Sequence, residues 1–186
     1  MYRRQYVPKT LKALALLATL AVAGCATAAK PGNMMVLDHS VRSATPTEDG
    51  YESVGIGSVS GGQETNPLWT SQVSASDFET ALRYSLQRRG YYSSSEDVPY
   101  RITAQLENLE QPFVGFSFTV TSTVFYELED PSGNIIDERR ITAPFTAQLG
   151  DHLYGAERMR LANEGSIRSN ITLYLQHLQT VLAAQE

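Results

Sequence analysis

Cysteine is nearly missing from this 186-residue chain, which holds one, at position 25. A single thiol excludes an internal disulfide and any metal site built from cysteines. Histidine is scarce as well: His39, His152 and His177 are too far apart in sequence for a zinc motif, so no metal site is expected. No Gly-x-Ser-x-Gly elbow occurs, and acids such as Glu127, Glu129 and Asp130 fit a solvated strand end better than a catalytic pair. Catalytic residues are therefore not assigned. Gly55-x-Gly57-x-x-x-Gly61-Gly62 departs from a dinucleotide fingerprint in spacing, and no helix starts there to meet a pyrophosphate, so turn glycines are expected. No apolar run reaches the ~20 residues that a membrane-spanning helix requires. Positive charge is also short. Of 15 basic side chains four lie in the first 24 residues, which hold no acid; the remainder carries 11 against 20 acidic ones, a net of −9. That sign repels phosphate backbones and anionic head groups, so nucleic acid is not an expected partner.

What is present begins with the N-terminus. Arg3, Arg4, Lys9 and Lys12 precede an apolar stretch from Ala13 to Ala23, and Val22-Ala23-Gly24-Cys25 follows. A positive start, a short apolar middle and small residues at its end make a signal peptide. The last four residues resemble the lipobox of bacterial lipoproteins, in which the peptidase recognises positions such as Val22, Ala23 and Gly24. The resemblance implies cleavage before Cys25, lipidation of its thiol, and no cofactor other than that covalent lipid. One acyl chain binds a membrane only marginally, whereas several anchor a protein stably. Ala26 stands where an Asp would resemble an inner-membrane retention signal, so outer-membrane sorting with the domain facing the periplasm is expected.

The expected organisation is a signal peptide over 1–24, a lipidated cysteine and tether over 25–50, and an α+β domain over 51–186. The tether is mostly small, polar or turn-forming, with an apolar island at Met34–Leu37 that could dock as a short strand. Beyond it, Val54–Val59 reads as a strand and Ser60–Ala75 as a loop. Ser76-Asp77-Phe78-Glu79 reads as a capping box. Phe78, Ala81, Leu82 and Leu86 form a helical stripe that ends at Gly90. Strands follow at Tyr100–Glu107 and Phe116–Glu129, the latter with Phe116 on its apolar face. After the turn Asp130-Pro131-Ser132-Gly133-Asn134 comes a strand from Ile135 to Phe145. A last helix spans Ala156–Leu182, with Ile167, Ile171, Tyr174, Leu178 and Leu182 facing the core. The order β-α-β-β-β-α predicts an α+β two-layer sandwich, mostly antiparallel, with two helices on one face.

Asn66-Pro67-Leu68-Trp69 holds the sole tryptophan, in a long strand-to-helix loop. Trp69 either covers the core edge or anchors a partner, and Tyr91, Tyr92 and Phe113 could extend such a patch. The lipobox, the strand order and Phe78-Glu79-x-Ala81-Leu82-x-x-Ser85-Leu86-x-x-x-Gly90-Tyr91 together resemble the YajG-type outer-membrane lipoproteins. The element order is also similar to lipopolysaccharide-assembly lipoproteins of the LptE type and to auxiliary lipoproteins of lipid-trafficking ABC systems. The resemblance implies a non-enzymatic, membrane-anchored accessory protein with a protein or glycan partner. The alternatives are a subunit handling lipopolysaccharide or phospholipid, for which Arg139, Arg140, Arg158 and Arg160 could form a basic mouth, and an enzyme.

Overall fold

Apolar residues alternate along each strand and recur every third or fourth position along both long helices, and this periodicity sets the layers. The computed structural model describes residues 26–37, 41–48 and 50–185. The elements run α1 (Pro31–Met34), β1 (Val54–Gly61), α2 (Ala75–Arg88), β2 (Tyr100–Glu110), β3 (Phe118–Glu129), β4 (Ile135–Ala147) and α3 (Gly155–Ala183). The four strands lie in sequence order, with β1 parallel to β2 and the other pairs antiparallel. This is the expected α+β order, with α1 added. Among the described residues no helix is long and apolar enough to cross a membrane.

The predicted stripes are buried. Phe78, Ala81, Leu82 and Leu86 of α2 and Ile167, Ile171, Tyr174, Leu178 and Leu182 of α3 join Ile102, Val124 and Tyr126 in one core. Polar groups fix how α3 lies on the sheet. The Ser122 N–H donates to Ser166 Oγ at 2.8 Å, Asn170 Nδ2 to the Ile141 carbonyl at 2.9 Å, and Tyr126 Oη to Asn170 Oδ1 at 3.0 Å. Tyr126 stacks on Tyr174 at 3.8 Å between ring centres. Burial pushes both phenols above their ordinary pKa, so they stay neutral; Tyr126 Oη spends its proton on Asn170, while the buried Tyr174 Oη has no hydrogen-bond partner among the described residues.

Three expectations need correction. The cap of α2 is Ser74, not Ser76: its Oγ accepts from the Asp77 N–H at 3.1 Å and donates to the Asp77 carboxylate at 2.8 Å. Val73 and Phe78 then occupy the N′ and N4 positions of a hydrophobic staple, and both are fully buried. The staple selects the earlier serine. Strand β3 begins at Phe118, which leaves Phe116 in the preceding loop and exposed. Finally, the described part of the 25–50 tether is not an extended leash. Ala29, Met34, Val36 and Val41 are buried in the main core, because α1 and its flanks lie across α2 and α3. Of the island at 34–37, Met34 ends the short helix and Val36 docks just after it, where the alternative to a linker was a short strand. The Val36 N–H donates to Ser85 Oγ at 3.0 Å, and Glu164 accepts from the Lys30 N–H at 2.9 Å and Asn33 Nδ2 at 3.0 Å.

Candidate loop-end contact face

The sheet topology gathers three connections at one end. Strands β1 and β2 are parallel and both finish there, β3 starts there, and β4 finishes there opposite it, with Phe118 facing Ala147. The connections 62–74, 111–117 and 148–154 therefore share that end, together with the starts of α2 and α3. The first is the loop that carries Asn66-Pro67-Leu68-Trp69.

This loop is held firmly. Asn66 Oδ1 accepts from the Leu68 N–H at 3.0 Å, and the Asn66 carbonyl from the Trp69 N–H at 3.0 Å. Gln111 Nε2 donates to the Ser71 carbonyl and to Asn163 Oδ1, both at 2.8 Å, while Asn163 Nδ2 donates to the same Ser71 carbonyl at 2.9 Å. Loop, sheet and α3 are stapled by these two amides. At the third connection Arg158 Nη1 donates to the carbonyls of His152 and Leu153 at 2.8 and 2.9 Å, and its guanidinium lies over the Phe118 ring.

Backbone satisfied in this way leaves the side chains free to point outward, and they are apolar. Leu68 is 88% exposed and Trp69 79%; Phe113, Val114 and Phe116 are 94%, 86% and 83% exposed, and Leu153 83%. Tyr154 is exposed beside them. Trp69 therefore projects outward and does not cover the core. Between the loops runs a groove of about 840 Å³ floored by Leu109, Phe118 and Met159 and flanked by Trp69, Phe113 and Tyr154. Among the described residues no charged side chain lines it, though Gln63, Gln72 and Gln111 give it neutral polar groups. Soluble proteins seldom leave a contiguous apolar patch exposed unless it meets a partner or a membrane.

The other sequence candidates fall as follows. Ala26 lines the same groove and is buried, its N–H donating to the Pro67 carbonyl at 2.9 Å. Val22, Ala23, Gly24 and Cys25 lie outside the described residues, as does His39. Phe113 joins the face as expected, but Tyr91 is buried and Tyr92 packs against the main core, away from the face. The four arginines do not make a basic mouth. Arg140 pairs with Glu107 at 2.8 Å on the outer side of the sheet, and Arg160 pairs with Glu157 at 2.7 Å and with Glu164. The Arg160 guanidinium holds the Glu157 carboxyl below its ordinary pKa. Arg158 is buried under the loop it supports. Among the described residues no group of three metal-ligating side chains occurs, and His177 pairs instead with Asp137 at 2.9 Å.

Sequence reasoning missed most of the face. Val114, Phe116, Leu153 and Tyr154 were not singled out for it, nor were the amide staples Gln111 and Asn163. The signal was the run Gln111-Pro112-Phe113-Val114-Gly115-Phe116, whose proline and glycine break the strand pattern that its aromatics suggest.

No protein-family model matches the chain, and no curated protein matches it. Solved structures do. A candidate lipoprotein from Caulobacter crescentus CB15 aligns with a TM-score of 0.53 at 16% identity, covering 76% of this chain and 98% of that one. A Xanthomonas campestris protein of the DUF330 family aligns with a TM-score of 0.54 at 11% identity, covering 86% and 97%. A minor lipoprotein from Acinetobacter baumannii aligns at 19% identity over 73% of this chain and 93% of that one, with a TM-score of 0.40. The fold is lipoprotein-like. At these identities the likeness concerns the fold alone, and in this lipoprotein-like fold the loop end is the face that the described residues leave apolar and open.

Proposed function

We propose that this protein is a non-enzymatic accessory lipoprotein of the bacterial envelope, anchored through lipid on Cys25, that makes its contacts through the loop end. The observation that carries the contact reading is the rim of Leu68, Trp69, Phe113 and Phe116, exposed on loops whose backbone is pinned by Gln111 and Asn163. A rigid scaffold presenting rigid aromatics is how contact faces gain affinity at little entropic cost. The anchor reading rests on the lipobox residues Val22 to Cys25. The YajG-type likeness of the sequence fits both, and Ala26 supports the outer membrane as the destination.

Read from the sequence alone, an envelope protein or glycan is the first partner class. Handling of lipopolysaccharide or phospholipid is favoured by one observation, the groove in which Leu109, Phe118, Met159 and aromatic side chains stand beside neutral amides and hydroxyls. Capture from envelope membranes tests the contact face. The full chain should retain one stoichiometric component, identified by mass spectrometry of protein, glycan and lipid. Trp69→Ala should lose it without lowering the unfolding midpoint; equal capture by both chains would put the contact elsewhere. Ala26→Asp should shift the protein to inner-membrane fractions in a host that reads that signal, and unchanged fractionation would remove Ala26 as the address.

A further inference from the structure

The chain before Ala26 and the apolar rim meet at one place. Ala26 is hydrogen-bonded to Pro67, next to Leu68 and Trp69, and it lines the groove with Phe113 and Tyr154. Ala26, the residue bonded to Cys25, is thus itself held at this rim.

We propose that the rim is a membrane-docking face: Leu68, Trp69, Phe113, Val114, Phe116 and Leu153 enter the interfacial layer of the lipid leaflet that carries the protein's own anchor. The proposal rests on the contact-face reading above and names a phospholipid leaflet as what that face meets. Three observations favour lipid over a protein or glycan. The rim holds Ala26, the residue bonded to the proposed lipid-bearing Cys25. The rim mixes aliphatic side chains with a tryptophan and a tyrosine, which prefer the head-group level of a bilayer. Among the described residues no charged side chain lines the groove within it, so it offers no ion-pair partner to a charged peptide.

The attachment is apolar and not electrostatic. Residues 25–186 carry a net of −9, so anionic head groups repel the body of the protein and the rim must hold by burial. Docking consequently works on zwitterionic lipid and changes little with salt, whereas attraction between charges would be screened. Two points of attachment, anchor and rim, also fix the tilt of the domain.

Trp69 is the chain's sole tryptophan, so its emission reports the rim alone. The full-length protein, lipidated in cells, is reconstituted into phosphatidylcholine vesicles with and without bromine on the acyl chains. The expected result is blue-shifted emission, quenched severalfold by brominated chains, hardly quenched by aqueous iodide, and unaltered by salt. Phe113→Ser with Phe116→Ser should return Trp69 to water while the unfolding midpoint stays put, since both rings are exposed. A chain that carries lipid on Cys25 and floats with the vesicles, yet keeps Trp69 quenched by iodide and not by bromine, overturns the docking face and leaves the anchor standing. A chain without lipid on Cys25 whose Trp69 is still quenched by bromine overturns the anchor and keeps the face. Absence of both lipid and bromine quenching overturns both.

Discussion

Ser74 satisfies the first turn of α2 through its two bonds with Asp77, so Ser74→Ala should cost about 1 kcal/mol in urea denaturation. Ser76, exposed inside the helix, should cost much less. That contrast separates the two candidate caps. The sequence offers a serine followed three residues later by an acid at both positions, and only the burial of Val73 and Phe78 chooses between them. Trp69 makes the opposite case. Its single occurrence in a long loop was readable, but its exposure was not, because exposure depends on how Gln111 and Asn163, far away in sequence, hold the loop. Trp69→Ala should therefore alter stability by less than about 1 kcal/mol, as substitutions at exposed positions usually do. A loss of several kcal/mol would mean that the indole is buried after all.

The docking of α1 is the consequence at the scale of elements. Met34 is as deeply buried as Leu82 and Ile171, so Ala at any of the three should cost about 2–5 kcal/mol by denaturant midpoint. A nearly silent Met34→Ala would return residues 26–37 to the role of a free tether. Periodicity made the main stripes of the two long helices legible, although Met159, Ala162 and Leu175 of α3 are buried as well and were not read from it. It could not do the same for α1, since four residues make a single turn and Ala-Thr-Ala-Ala-Lys-Pro-Gly looks like any linker. The seating of α3 on β4 was equally hidden. A Cβ on Gly165 would come within 2.2 Å of the Phe145 ring, so the helix approaches the strand as closely as glycine permits. Gly165→Ala should destabilise by about 1–3 kcal/mol through overpacking, read as a lower thermal midpoint. Nothing in the local sequence distinguishes this glycine from one that merely loosens a helix.

For the molecule as a whole, the anchor proposed on Cys25 is what would decide where the domain works. Cys25→Ser should leave an uncleaved precursor without lipid label, and cleavage after residue 24 in that variant would refute the lipobox. The α+β class, the strand order and the two helical faces could all be read from hydrophobic patterning, whereas the loop-end face arises only when the sheet brings three separate connections to one edge. The strap formed by residues 26–37 has a further effect, on timing. Lys30 meets Glu164 across 134 residues, and the Arg42 carbonyl accepts from Gln179 across 137. Such distant contacts form late, because closing a long loop costs entropy before any contact repays it. A chain emerging N-terminus first thus cannot seat its opening residues until the last helix is out. The contacts of Lys30 and Arg42 stay open for the length of that passage, so an early segment of the chain is fastened by its last helix.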